Sequence, residues 1–194
     1  MGIQILFASS NPHKLQEIRH ILPERFQLLS LEDVGFDKEI EETGKTFEAN
    51  AEIKANAIFE SSGIICFADD SGLEVDALDG KPGVKSARYA GEPPDHARNV
   101  ELLLSHMKGK TNRKARFKTV ICLRLPGKTL FFEGAVEGRI TEEITGGNGF
   151  GYDPVFVPDG YDRTFAEMSM EEKNEISHRK RALEKMLVFL EYIE

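Results

Sequence analysis

The chain has 194 residues, 40% hydrophobic and 30% charged, a globular balance with length enough for one domain and a substantial core. A formal net charge of −8 argues against nucleic acid or an anionic membrane surface as partner. No apolar run is long enough to span a bilayer, and residues 1–8 lack the basic start and long apolar middle of a signal peptide, so a soluble cytoplasmic protein is expected.

In chain order, "GIQILFA" at 2–8 reads as a strand, and residues 12–22 place Leu15, Ile18, Ile21 and Leu22 at helical spacing. "FQLLSL" at 26–31 is a second strand, followed by an acidic loop that ends in "EIEETGK". Residues 46–60 form an alanine-rich helix with a stripe through Phe47, Ala51, Ala55 and Ile58. A strand is expected at 64–68, with "LEVDAL" a further short one, and a helix at 95–109 closed by Gly109. Residues 115–140 alternate about Pro126 and Gly127 as a hairpin of two long strands. After a glycine-rich loop at 146–153 and the apolar "PVFVP", the pattern turns helical from Ser169 onward. Strands alternating with helices and then a hairpin imply an α/β fold with a mixed sheet. Cys66 and Cys122 lie inside apolar strand-like runs and read as small buried hydrophobes, although spacing alone leaves a bridge open.

Three stretches carry chemistry. In "FASSNPHKLQEI" a strand runs out at Ala8 and Pro12 sits where a helix would begin, a position that tolerates its missing N–H. The unpaired amides of such a first turn favour an anion, and Lys14 adds a mobile positive charge. Taken alone, these residues read first as an ordinary capped helix with Asn11 or Ser10 as N-cap. The stretch is not a Walker loop: Gly-Lys-Thr begins at 44, 109 and 127, and the glycine required five positions earlier is Glu39, Leu104 and Cys122 respectively.

The second stretch, "IICFADDSGLEVDAL", runs a buried strand into Asp69 and Asp70, whose side chains should point to opposite faces. Buried like charges need a cation or several donors. An all-oxygen site suits Mg²⁺, with Glu39, Glu41 or Glu42 as a further ligand and Lys54 bordering the stripe of the preceding helix. The competing reading is that Asp-Asp-Ser-Gly simply begins a turn.

The third combines "GNGFGYDP" with "SMEEKNEISHRKRAL". Phe150 and Tyr152 offer flat faces beside Asp153, as a base pocket needs, or else pack a plain hairpin loop. Ser169 and Glu172 form a capping-box pattern, and Ser177 suits the cap of a second helix with a stripe at Leu183, Met186, Leu187 and Leu190. A break near 174–177 would bring Lys173, His178 and Arg179 around one ligand. The basic run at 178–181 reads otherwise as a solvated helix face.

The motifs "SSNPHK", "EETG", "ADDSGLEVDAL", "PGVKSARYAG", "GGNGFGYDPVF" and "AEMSMEEKNEISHR", in this order, resemble the inosine triphosphate pyrophosphatase family over nearly the whole chain. The resemblance implies hydrolysis of non-standard purine nucleoside triphosphates. It also implies a homodimer, and a single domain over residues 1–194 with a long central mixed sheet and two lobes. Carried over by position, it makes Ser9, Ser10, Asn11, Pro12, His13 and Lys14 a triphosphate loop, Glu41 and Asp70 the Mg²⁺ ligands, and Asp70 the base toward water. It makes Ser71, Phe150, Gly151, Tyr152, Asp153, Lys173, His178 and Arg179 substrate contacts. In one helix the match departs: relatives read Phe-x-Glu-Asn-Ala, whereas this chain holds Ala49 at the glutamate position, and Glu48 receives no role. A hydrolase of modified pyrimidine nucleotides and a non-hydrolysing nucleotide sensor are the two rival expectations.

Overall fold

The computed structural model describes residues 3–191. Its strands and helices follow in the order β1 (Ile3–Phe7), α1 (Pro12–Ile21), β2 (Phe26–Leu29), α2 (Phe47–Ser62), β3 (Cys66–Val75), α3 (His96–Met107), β4 (Lys114–Leu125), β5 (Lys128–Ile140), β6 (Phe156–Pro158), α4 (Met170–Ile176) and α5 (His178–Glu191). Six strands form one mixed sheet in the order β2-β1-β3-β4-β5-β6. β1 runs parallel to both β2 and β3, whereas β6 is antiparallel to β5. Only Pro126 and Gly127 separate β4 from β5, so those strands form the expected hairpin.

The chain gathers into two compact units. The first takes the described part of Met1–Asp70, Thr119–Gly134 and the described part of Lys180–Glu194; the second takes Ser71–Lys118 and Ala135–Arg179. In the first unit, strand alternation sorts the apolar residues into two cores. Ile5, Phe7, Phe67, Ile121 and Leu123 pack with Ile18 of α1 and with Leu183, Met186 and Leu190 of α5. Leu6, Ala8, Cys66, Ala68 and Cys122 meet Ala51, Ala55 and Ile58 of α2, and small residues on that helix let it lie close to the strands. Both cysteines are buried free thiols. The second unit has its own core, in which Leu73, Val75, Phe117, Val136 and Ile140 surround Val100, Leu103 and Met107 of α3 with Tyr152, Phe156 and Phe165.

Local chemistry sets most boundaries. Asn11 caps α1, its side-chain oxygen accepting from the amides of His13 and Lys14, with Pro12 in the first turn. α2 starts at the Thr46 cap and stops at Gly63, whose φ of 68° only glycine adopts readily. Ser169 and Glu172 close a capping box on α4, and an extended Ser177 separates it from α5. One expectation fails: no turn interrupts residues 69–72, because β3 continues unbroken for ten residues through Asp69, Asp70, Ser71 and Gly72. Ladder bonds and burial on both sides outweigh the turn preference of those residues. No described helix is long and apolar enough to cross a membrane.

β6 packs tightly beside β5 at Gly138, which pairs with Pro158. A methyl there would collide with the Val157 carbonyl oxygen and stand 2.6 Å from the Phe156 ring. Gly138→Ala is expected to lower stability by about 1–3 kcal/mol, the usual cost of overpacking, read as a lower urea midpoint with unchanged slope. An unchanged midpoint would show that β6 yields freely.

Candidate active site

The first unit holds a cluster of carboxylates and lysines around the middle of β3. Alternation sends the two aspartates to opposite faces, and each meets its own cation. Lys14, one turn into α1, places Nζ 3.0 Å from Oδ1 of the fully buried Asp69. On the other face, Asn50 of α2 donates from Nδ2 to Oδ2 of Asp70 at 3.0 Å. Lys54, one helical turn beyond Asn50, stands 4.0 Å from Asp70 and bonds Glu42 at 2.9 Å. The Gly44 amide donates to Oδ1 of Asn50 at 2.8 Å, which fixes the direction of that amide. Burial pushes the Asp70 carboxyl above the ordinary carboxylate range; Lys54 and Lys14 pull it back, Glu42 adds to the rise, and the Asn50 bond lowers it.

The second unit holds a cluster of cations around an aromatic ring. Lys173 Nζ donates to Asp153 Oδ2 at 2.7 Å with both side chains buried, and lies 4.8 Å from the centre of the Phe150 ring. Asp153 Oδ2 also accepts from the Phe150 amide at 2.8 Å. A Cβ at Gly149 (φ +74°) would meet that same carboxylate oxygen, so the turn requires glycine. Arg179, only 1% exposed, brings its guanidinium 6.0 Å from the Phe150 ring and donates from Nη2 to Ser71 Oγ at 3.3 Å. His178 stacks on Phe117 at 4.9 Å. Tyr152 does not present a face: its ring lies in the core and its hydroxyl donates to the Ser86 carbonyl at 2.8 Å.

Of the expected phosphate-loop residues, Ser9, Asn11 and Lys14 are partly buried, while Ser10, Pro12 and His13 are exposed at the start of α1. Around the acidic loop, Ile40, Glu42 and Gly44 turn inward and Glu41 and Thr43 outward, as in extended chain. Glu42 is therefore the carboxylate tied to Lys54, and Glu41 is exposed. The helix break brings Lys173 and Arg179 to Phe150. Asn50 was the residue that pattern reading missed. Its signal was a polar side chain four positions before Lys54, on the inner side of an alanine-rich helix.

Among the described residues, no three His, Cys, Asp or Glu side chains gather as a closed metal cage. What is present fits a hard cation that takes one or two protein carboxylates and leaves its remaining positions open. The buried Asp70 carboxylate, with its charged form incompletely compensated, is the group that would gain from such an ion.

A helix start with Lys14 and, across β3, Lys54 beside a buried carboxylate in one unit, and an aromatic ring approached by two cations in the other, are groups that an α/β protein acting on nucleotides employs. A family model described as the Ham1 family matches residues 5–189, and the chain belongs to that family. It is 49% identical over 187 residues to a protein named dITP/XTP pyrophosphatase from Flavobacterium psychrophilum, covering 96% of this chain and 98% of that one. A protein of the same name from Bacillus subtilis is 48% identical, with 97% of each chain covered. The solved structure of the Staphylococcus aureus Ham1 protein superimposes with a TM-score of 0.90 at 41% identity, over 98% of this chain and all of that one.

The raised Asp70 value has a sign that stability measurements read. A carboxyl whose folded-state value lies above its unfolded one costs stability when ionised, in full above the raised value and not at all below the ordinary 3.8. Asp70→Asn is therefore expected to raise the melting temperature of the metal-free protein at about pH 7–8. The advantage should shrink as pH falls through the raised value and close near 3.8. A variant less stable than the parent at neutral pH would contradict this account.

Proposed function

We propose that the chain hydrolyses non-standard purine nucleoside triphosphates such as ITP, dITP and XTP, giving the nucleoside monophosphate and pyrophosphate. The observation that carries the reading is Asp70: a buried carboxylate of raised proton affinity, aimed by Asn50 and flanked by Lys54. That a chain nearly half identical over almost its full length bears the name dITP/XTP pyrophosphatase supports the choice of substrate. Water adds across the anhydride between the α and β phosphates, and Asp70 takes its proton. Lys14 exchanges Asp69 for phosphate oxygens, and with Lys54 it offsets the charge of the leaving pyrophosphate. Asp70 would hold Mg²⁺, with the exposed Glu41 swinging in as the second ligand that the family resemblance implies, and the ion would supply charge neutralisation on the phosphates and a lower pKa of the water. The start of α1 receives the phosphates through the Ser9 and Ser10 hydroxyls, His13 and Lys14, since the amides of His13 and Lys14 already donate to the Asn11 cap. A cytoplasmic homodimer belongs to the same reading.

Phe150 stacks on the base, and Arg179 and His178 face its edge. Arg179 offers donors only, which match the 6-oxygen of hypoxanthine and xanthine and oppose the 6-amino group of adenine. Stranding buried donors costs roughly 1–3 kcal/mol each. Guanine shares that oxygen, so its 2-amino group must be refused by shape or by the lack of an acceptor.

Pyrophosphate release from ITP, XTP, dITP and the four standard triphosphates tests the function directly, with the deaminated purines expected to lead by a wide margin. Preference for a pyrimidine substrate would overturn it. Asp70→Asn should lose about a hundredfold to ten-thousandfold in kcat at saturating Mg²⁺. Arg179→Ala should lower kcat/KM for ITP far more than for ATP, measured on folded variant, and an unchanged ratio would refute the donor reading.

A further inference from the structure

We infer that His96 is a second aromatic contact to the substrate's base, beside Phe150. This rests on the functional reading above. His96 opens α3, and its ring centre lies 6.3 Å from that of Phe150 with the planes tilted by 56°. Lys173 and Arg179 also approach this ring, at 4.8 and 6.0 Å, and His96 is the neighbour on it that is exposed. A base held between two rings needs about 7 Å between them, twice an aromatic contact of about 3.5 Å. An exposed side chain changes rotamer readily, so the present spacing is a small swing away from that distance.

The placement is built into the fold. Asp95 caps α3, accepting from the Arg98 amide at 3.1 Å. Asn99, three residues after His96 and buried, donates to the carbonyls of Ala87 at 2.8 Å and Ser86 at 3.4 Å, and accepts from the Ala90 amide at 2.7 Å. The same Ser86 carbonyl accepts the Tyr152 hydroxyl. The first turn of α3 and the segment carrying Phe150 are thus fastened to one carbonyl, which holds the two rings as a pair. Histidine stacks on unpaired bases as the other aromatic residues do. Such a stack adds affinity without reading an edge, so it concerns binding and not the chemical step.

The experiment compares the parent with His96→Ala and His96→Phe. With ITP, the alanine variant should raise KM about fivefold or more, the low end of one stacked base, with kcat nearly preserved. Inhibition by inosine monophosphate should weaken by the same factor, while inhibition by inorganic pyrophosphate, which has no base, stays as in the parent. The phenylalanine variant should restore both constants. If the parent hydrolyses ITP but His96→Ala leaves KM and inosine monophosphate inhibition unchanged, the role of His96 is refuted and the function stands. Equal weakening of inosine monophosphate and pyrophosphate refutes it too, since that marks general loss of the site. Failure of the parent to release pyrophosphate from any triphosphate overturns the functional reading and this inference with it.

Discussion

Two consecutive carboxylates in the middle of a continuous, buried strand set the terms for the rest of the first unit. A strand's pleat sends Asp69 and Asp70 to opposite faces, so each face supplies a near cation, although the charge of Lys14 is felt by Asp70 as well. Lys14 arrives from α1 on one side; Asn50 and Lys54 arrive from α2 on the other. Both helices must therefore begin at fixed points, which explains why each start is specified by a side-chain cap, Asn11 and Thr46. The two faces are not equivalent. Asp69 is answered by a lysine at 3.0 Å, whereas Asp70 stays short of compensation and holds protons more tightly than usual.

The second unit solves a different problem, that of placing two cations against an aromatic ring without collapsing onto it. Asp153 does this by taking both the Phe150 amide and the Lys173 ammonium on a single oxygen. The extended Ser177 then turns the chain so that Arg179 returns toward the same ring. Buried pairs of this kind add little net stability compared with apolar packing, so what Asp153 and Lys173 contribute here is position. Asp70 and Ser71 are neighbours in sequence, and Arg179 is followed directly by the first unit's part of α5. The chain thus passes between the units at residues that each cluster uses.

Much of this was legible in residues alone. The caps of α1 and α4 and the break at Ser177 follow from local hydrogen-bonding chemistry, which sequence displays directly. The opposite facing of Asp69 and Asp70 follows from the pleat once the segment is read as a strand. That step was the uncertain one, because Asp, Ser and Gly also spell a turn, and only the ladder on either side decides. Asn50 left a faint signal in its spacing from Lys54, whereas the pairing of Glu42 with Lys54 and the burial of Tyr152 were not legible. Each depends on which side of a helix or loop meets a partner more than ten residues away, and no local pattern encodes that. The meeting of His96 with Phe150 is of the same kind.

The two cysteines carry a consequence of their own. Both thiols are fully buried, and burial raises each to about 12. Near pH 8 only about one molecule in ten thousand would then hold either as thiolate, the form that alkylating reagents attack. Cys66 begins the strand that carries Asp70, and Cys122 lies across the same apolar layer. Covalent labelling of these sulfurs is thus a clock for the opening of that layer. The folded protein is silent to the reagent, and each modified molecule records one excursion of the first unit away from its native state.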